Sequence, residues 1–103
     1  MVRDRGRLDE LMGVEAKLFK INDAIEELRR EEVLVAEELR YHRHINDDAQ
    51  RDAAVSDDWQ DRSFARDTSS DVNRFELALD EIKSRRERLE RKRDKLLKRL
   101  GDL

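Results

Sequence analysis

The densest group of side chains that could bind another molecule is a basic stretch near the end of the chain. Residues 83–99 hold ten Lys or Arg residues and three Asp or Glu residues. A basic helix of this kind can neutralise the phosphates of a nucleic acid. No aromatic residue follows Phe75 to stack on bases, however, and acidic residues interrupt the stretch. The alternatives are a solvated coiled-coil face, or contact with an anionic membrane or an acidic protein. The expected nucleic-acid contacts are Arg85, Arg88, Arg91, Lys92 and Lys95.

The residues typical of catalytic and metal sites are sparse. His42 and His44 are the only histidines. Two positions apart on a helix, they point about 200° away from each other and cannot share a metal ion. Cys is absent, and the chain has no glycine-rich phosphate loop and no Ser/His/Asp motif. We therefore expect no catalytic residue, metal or cofactor, and the sequence favours a protein that is not an enzyme.

An apolar repeat predicts the elements that position these side chains. Steps of three and four residues recur in both halves of the chain and place apolar side chains on one stripe of a helix. The first half of this seam consists of Leu11, Val14, Leu18, Ile21, Ile25, Leu28, Val35 and Leu39, and the second of Val72, Phe75, Leu79, Ile82, Leu89, Leu96 and Leu100. The pattern predicts an all-α fold, a long antiparallel helical hairpin of the coiled-coil type.

Composition agrees with long helices that bury a narrow stripe. Hydrophobic residues make up 37% of the 103 residues and charged residues 48%, and Pro is absent. That balance is too polar for a thick globular core. No uncharged run is long enough to span a membrane, and the first residues show no apolar signal region. We expect a location in the cytoplasm or inside a virus particle.

Local composition predicts where the helices begin and end within one helical-hairpin domain, residues 1–103. The first helix is expected over about 4–48. A connector over about 49–68 contains turn-forming Asp and Ser residues, and Ser56 could cap a short helix within it. The second helix is expected over about 69–100. Thr68 and Asp71 have the spacing of a capping box at its start, and Gly101 is a stop signal at its end.

Three charged residues occupy positions that the repeat reserves for apolar side chains. These are Glu32 in the first helix and Arg86 and Arg93 in the second. One interpretation is that the arginine stems lie along the seam with their charged ends in water. The other is a partly buried pair between Glu32 and Arg86 that fixes the register of the hairpin.

Several large apolar residues lie outside the seam and predict a partner. Met12, Phe19, Val33, Leu34, Tyr41 and Ile45 widen the apolar face of the first helix. A second hairpin would cover them, so we expect a homodimer that forms a four-helix bundle. Trp59 and Phe64, in the connector, either cap the end of the bundle or anchor a partner. The predicted partner-binding residues are Trp59, Phe64, Phe19, Leu34 and Tyr41.

These patterns predict a structural or adaptor protein that works through self-association and helix-mediated protein binding. The first alternative is a small nucleic-acid-binding regulator that uses the basic face of residues 83–99. The second is a partner-specific chaperone that holds a helix of another protein against its apolar stripe.

Overall fold

Two long helices pack against each other as an antiparallel hairpin in the computed structural model. Helix α1 spans Val2–Val55 and helix α2 spans Trp59–Gly101. The structure describes residues 2–103, and the side chains of residues 5–103. Within this part of the chain no strand is present. The predicted all-α hairpin is therefore confirmed, whereas dimerisation into a four-helix bundle stays a prediction.

Burial follows the predicted seam. The apolar residues with the least exposure in α1 include Val14, Leu18, Ile25 and Leu39, all members of the three-four repeat. Most other seam positions, such as Leu28 and Leu89, are half-buried. A two-stranded coiled coil leaves the edges of its seam in water, so partial burial is the expected result.

The connector is much shorter than the sequence indicated. We expected it over about 49–68, but α1 continues to Val55 and α2 already begins at Trp59. The seam also continues through this region, where Ala49, Ala65 and Thr68 are buried. The prediction was wrong because alanine and threonine give a weak apolar signal beside many Asp and Ser residues. Small side chains can nevertheless be buried where two helices approach closely.

The start of α2 is set by Asp58 rather than by Thr68. The backbone N–H of Gln60 donates to Asp58 Oδ1 at 3.0 Å, which is the geometry of a helix N-cap. Ser56 Oγ accepts from the N–H of Asp58, also at 3.0 Å. The predicted capping box of Thr68 is wrong, since Thr68 lies inside α2. The helix α2 ends at Gly101, within one residue of the predicted end at about residue 100, and Gly101 is its last helical residue.

Contacts divide the hairpin into two compact units. The terminal unit combines the N-terminal part of α1, up to Arg30, with Lys83–Leu103 of α2. The loop unit is Glu31–Ile82 and contains the turn. No helix in the described part of the chain is long and apolar enough to cross a membrane.

The loop unit contains a cluster of polar side chains between its two helices. Asn46 Oδ1 accepts hydrogen bonds from Gln50 Nε2 at 3.1 Å, Thr68 Oγ1 at 2.9 Å and Ser69 Oγ at 3.0 Å. Gln50 Nε2 also lies 3.0 Å from the carbonyl oxygen of Ala65. We call these residues the Asn46 cluster. Each bond between α1 and α2 requires one alignment of the helices, so the cluster fixes the register of this unit.

Candidate functional site

The two units carry opposite charge. The segments that make up the terminal unit, residues 1–30 and 83–103, contain 17 basic and 11 acidic residues, a net charge of +6. The loop unit contains 15 acidic and six basic residues, a net charge of −9. Each unit therefore presents a surface that attracts partners of the opposite sign.

The predicted partner-binding residues are all exposed. They are Phe19 (68% exposed), Leu34 (62%), Tyr41 (61%), Trp59 (66%) and Phe64 (54%). Phe19 belongs to the terminal unit, and the other four belong to the loop unit. Trp59 and Phe64 are open to water in the single hairpin, and their predicted role as caps at the end of a four-helix bundle stays a prediction. Their role as partner anchors stays a prediction.

Arg86 lies in the seam of the terminal unit and takes part in a three-residue ion pair. Its Nη1 lies 3.0 Å from Glu90 Oε1, one turn further along α2. Arg29 of α1 approaches the same oxygen at 3.3 Å. The Arg86 side chain is 20% exposed and that of Glu90 is 22% exposed. The hydrogen bond from Arg86 lowers the pKa of Glu90, with further lowering by Arg29, against an upward effect of desolvation.

The other two predicted register residues lie in different units. Arg93 is half-buried in the terminal unit, and its Nη2 lies 3.3 Å from Asp94 Oδ1. Glu32 is half-buried in the loop unit. The stems of Arg86 and Arg93 are thus partly covered while their charged ends meet carboxylates. The pairing of Glu32 with Arg86 stays a prediction.

The predicted nucleic-acid contacts are exposed and divide between two shallow grooves and the outer face of α2. Arg85, Arg88 and Lys92 line one groove together with Leu28 and Leu89. Lys92 also lines a second groove, with Lys95, and Arg91 is exposed on α2. The second groove has a larger basic set than the sequence predicted. Its lining residues are Lys17, Lys20 and Ile21 of α1 and Lys92, Lys95 and Leu96 of α2, and we call it the lysine groove.

Two groups stand out among the basic side chains of α2. Arg86, Arg93 and Arg99 face carboxylates, the last through Glu10 of α1 at 2.8 Å. Among the side chains of residues 5–103, Lys92 and Lys95 form no ion pair. The three arginines are therefore paired with carboxylates of the hairpin itself, whereas the two lysines are available to pair with a partner.

The two histidines have separate surroundings. His42 stacks on Phe75 across the seam, with ring centroids 4.5 Å apart, and its Nε2 lies 3.7 Å from Glu38 Oε2. His44 Nε2 lies 3.7 Å from Asp48 Oδ2. Over residues 5–103, no group of three or more His, Asp or Glu side chains is arranged to hold a metal ion.

Sequence reasoning missed the residues that α1 contributes to these charged groups. Lys17 and Lys20 were not singled out, nor was the contact of Arg29 with Glu90. Within α2, the four-residue spacing of Arg86 and Glu90 was an available signal for their pair. The contacts from α1 depend on how two segments that are distant in sequence align along the hairpin. The apolar repeat predicts that alignment only to within about one layer of seam residues.

No protein-family model, curated protein or solved structure matches this chain. The grounds for a function are therefore the surfaces described above: the exposed apolar residues of α1, the acidic loop unit and the lysine groove of the terminal unit.

Proposed function

We propose that this chain is a non-enzymatic structural or adaptor protein that acts through self-association and helix-mediated protein binding. The observation that carries the proposal is the set of large apolar side chains of α1 that the hairpin leaves uncovered, Phe19, Leu34 and Tyr41. Complete burial of one such side chain contributes about 1.5–3 kcal/mol. A second helical surface that covers several of them gains enough free energy to offset part of the cost of association.

Sedimentation equilibrium of the wild-type protein and two leucine variants tests this proposal. Leu34→Ser removes an exposed apolar side chain from α1, and Leu77→Ser removes one of similar exposure from α2. We expect the wild type to form dimers at micromolar concentration. Leu34→Ser should weaken the dimer by about a hundredfold, since it removes one leucine from each copy and burial of each contributes about 1.4 kcal/mol or more. Leu77→Ser should leave it within about twofold.

A well-folded wild-type monomer at all concentrations would contradict self-association. If that monomer co-purified with a helical fragment of another protein, the chaperone alternative would replace the adaptor proposal. Far-UV circular dichroism of each variant checks that helicity is retained, so that a loss of association is not mistaken for unfolding.

A nucleic-acid-binding regulator is the second candidate, and one observation favours it. Arg88, Arg91, Lys92 and Lys95 are exposed, and none forms an ion pair with another side chain of residues 5–103. Binding to random duplex DNA at low and at physiological salt tests this candidate, because phosphate contacts weaken steeply as salt rises. Absence of retention even at low salt would eliminate it.

A further inference from the structure

The lysine groove of the terminal unit combines an apolar floor with a rim of positive charge. Ile21 and Leu96 form the floor, and both are half-buried. Two lysines from each helix form the rim, and no acidic side chain lines the groove. The four rim residues are Lys17, Lys20, Lys92 and Lys95.

The chain does not neutralise this rim internally. In helices, ion pairs form between residues three or four positions apart. At these distances Lys17, Lys92 and Lys95 have no acidic neighbour, whereas Lys20 has Asp23 three positions further on. None of the four lysines has an ion-pair partner among residues 5–103. Four clustered ammonium groups beside uncovered aliphatic carbon favour an occupant with both carboxylates and apolar side chains.

The loop unit of this same chain presents a stripe of that chemistry. Glu31, Leu34, Glu38 and Tyr41 follow one another at steps of three, four and three residues in α1. This spacing places them in a row along one face of the helix. All four are exposed, and Leu34 and Tyr41 are each more than 60% exposed. We call these four residues the acidic stripe.

We propose that the acidic stripe of one copy docks in the lysine groove of a second copy, an inference that rests on the self-association proposed above. Leu34 and Tyr41 cover Ile21 and Leu96, while Glu31 and Glu38 face the lysine rim. The net charges of the two units, −9 and +6, also attract the loop unit of one copy to the terminal unit of another at longer range. Each copy carries one groove and one stripe, so both partners of a homodimer hold the two surfaces that the contact requires.

The aliphatic floor favours a protein helix over a nucleic acid as the occupant. A phosphate backbone would pair with the lysine ammonium groups, but it has no apolar surface to bury against Ile21 and Leu96. Bases would need aromatic side chains on which to stack, and none lines the groove. An amphipathic helix uses both the rim and the floor.

Charge reversal with compensation tests the proposal. Lys92→Glu combined with Lys95→Glu should weaken the dimer by about tenfold or more, because like charges then face each other. Lys83→Glu combined with Lys98→Glu changes the net charge equally on the same helix but outside the groove, and should change dimerisation by less than about threefold. A chain that carries Lys92→Glu, Lys95→Glu, Glu31→Lys and Glu38→Lys should recover at least about half of the lost association on a logarithmic scale.

Sedimentation equilibrium at two salt concentrations gives the dissociation constants, and circular dichroism checks the fold of each variant. Dimers that are unchanged by Lys92→Glu and Lys95→Glu would overturn this inference while leaving self-association intact. A monomeric wild type would overturn both. If the groove variant kept its dimer but lost binding to random duplex DNA, the groove would be a nucleic-acid site and the inference would fail. Weakening without recovery in the compensated chain would overturn the assignment of the acidic stripe as the occupant.

Discussion

The terminal unit and the loop unit hold the same two helices together by partly different means. In the terminal unit, bulky residues such as Leu18 and Ile25 are buried, and arginine stems and ion pairs border them. In the loop unit, Leu39 and Val72 are buried too, and an ion pair joins Arg43 to Glu76. This unit also buries Ala49, Ala65 and Thr68 beside the Asn46 cluster. Apolar side chains tolerate several alignments of two helices, whereas a hydrogen-bonded cluster tolerates few. The comparison indicates that both units bury apolar side chains, and that the loop unit adds a polar cluster that restricts the register.

The largest expected effect comes from a charge placed in the seam of the terminal unit. Ile25 is 2% exposed, so Ile25→Asp would bury an unpaired carboxylate and remove an apolar side chain. We expect a loss of at least about 3 kcal/mol in the free energy of unfolding. Urea denaturation followed by circular dichroism measures it. Leu77→Asp, at a 70% exposed position, is the control and should cost less than about 1 kcal/mol. Equal losses in the two variants would show that the seam is misassigned.

A smaller effect is expected from the polar cluster of the loop unit. Asn46→Ala removes the oxygen that accepts from Thr68, Ser69 and Gln50. The expected loss is about 0.5–1.5 kcal/mol, the net contribution of a typical hydrogen bond, because Thr68 and Gln50 keep the carbonyl oxygen of Ala65 as an acceptor.

The matched control for Asn46→Ala is Asn73→Ala, an exposed asparagine in the same unit, which should change stability by less than about 0.5 kcal/mol. A double-mutant cycle with Thr68→Val should give a coupling energy of at least about 0.5 kcal/mol. Additive losses would mean that Asn46 and Thr68 stabilise the fold independently. That result would contradict the inference that the cluster fixes the register.

The smallest effect concerns the ion pairs of the terminal unit and depends on pH. Arg86 and Arg29 hold the pKa of Glu90 below its ordinary value of 4.5. The stabilising contribution of Glu90 is therefore fully present above pH 4.5 and is lost as the pH falls through the lowered pKa. In Glu90→Gln this part of the acid sensitivity should be absent, so the midpoint of thermal unfolding should fall less steeply below pH 4.5 than in the wild type.

Glu87→Gln is the control for the acid titration, since Glu87 is an exposed glutamate of the same helix. It should keep the wild-type pH dependence. If both variants lost the same part of the acid sensitivity, the ion pairs around Glu90 would have no special role in the terminal unit.

The two units also differ in how well the sequence predicted them. The seam of the terminal unit was predicted because leucine, isoleucine and valine recur at regular steps, and Ile25 is buried as expected. In the loop unit the burial of Leu39 and Val72 was predicted as well. The part next to the turn was not, since Ala49 and Ala65 are weakly hydrophobic and Thr68 is a residue type typical of a helix cap. Which charged side chains meet across the helices, as Arg29 meets Glu90, depends on distances of a few ångströms that an apolar repeat does not specify.

The three-residue turn at Ser56, Asp57 and Asp58 has a consequence for the route by which the chain folds. Thr68 and Asn46 are only 22 positions apart, whereas Arg99 and Glu10 are 89 positions apart. Closing a short segment costs less conformational entropy than closing a long one, and local contacts form first. We therefore expect folding to begin with the contacts next to the turn and to proceed towards the two ends of the hairpin. The contacts near the ends would form last and open first.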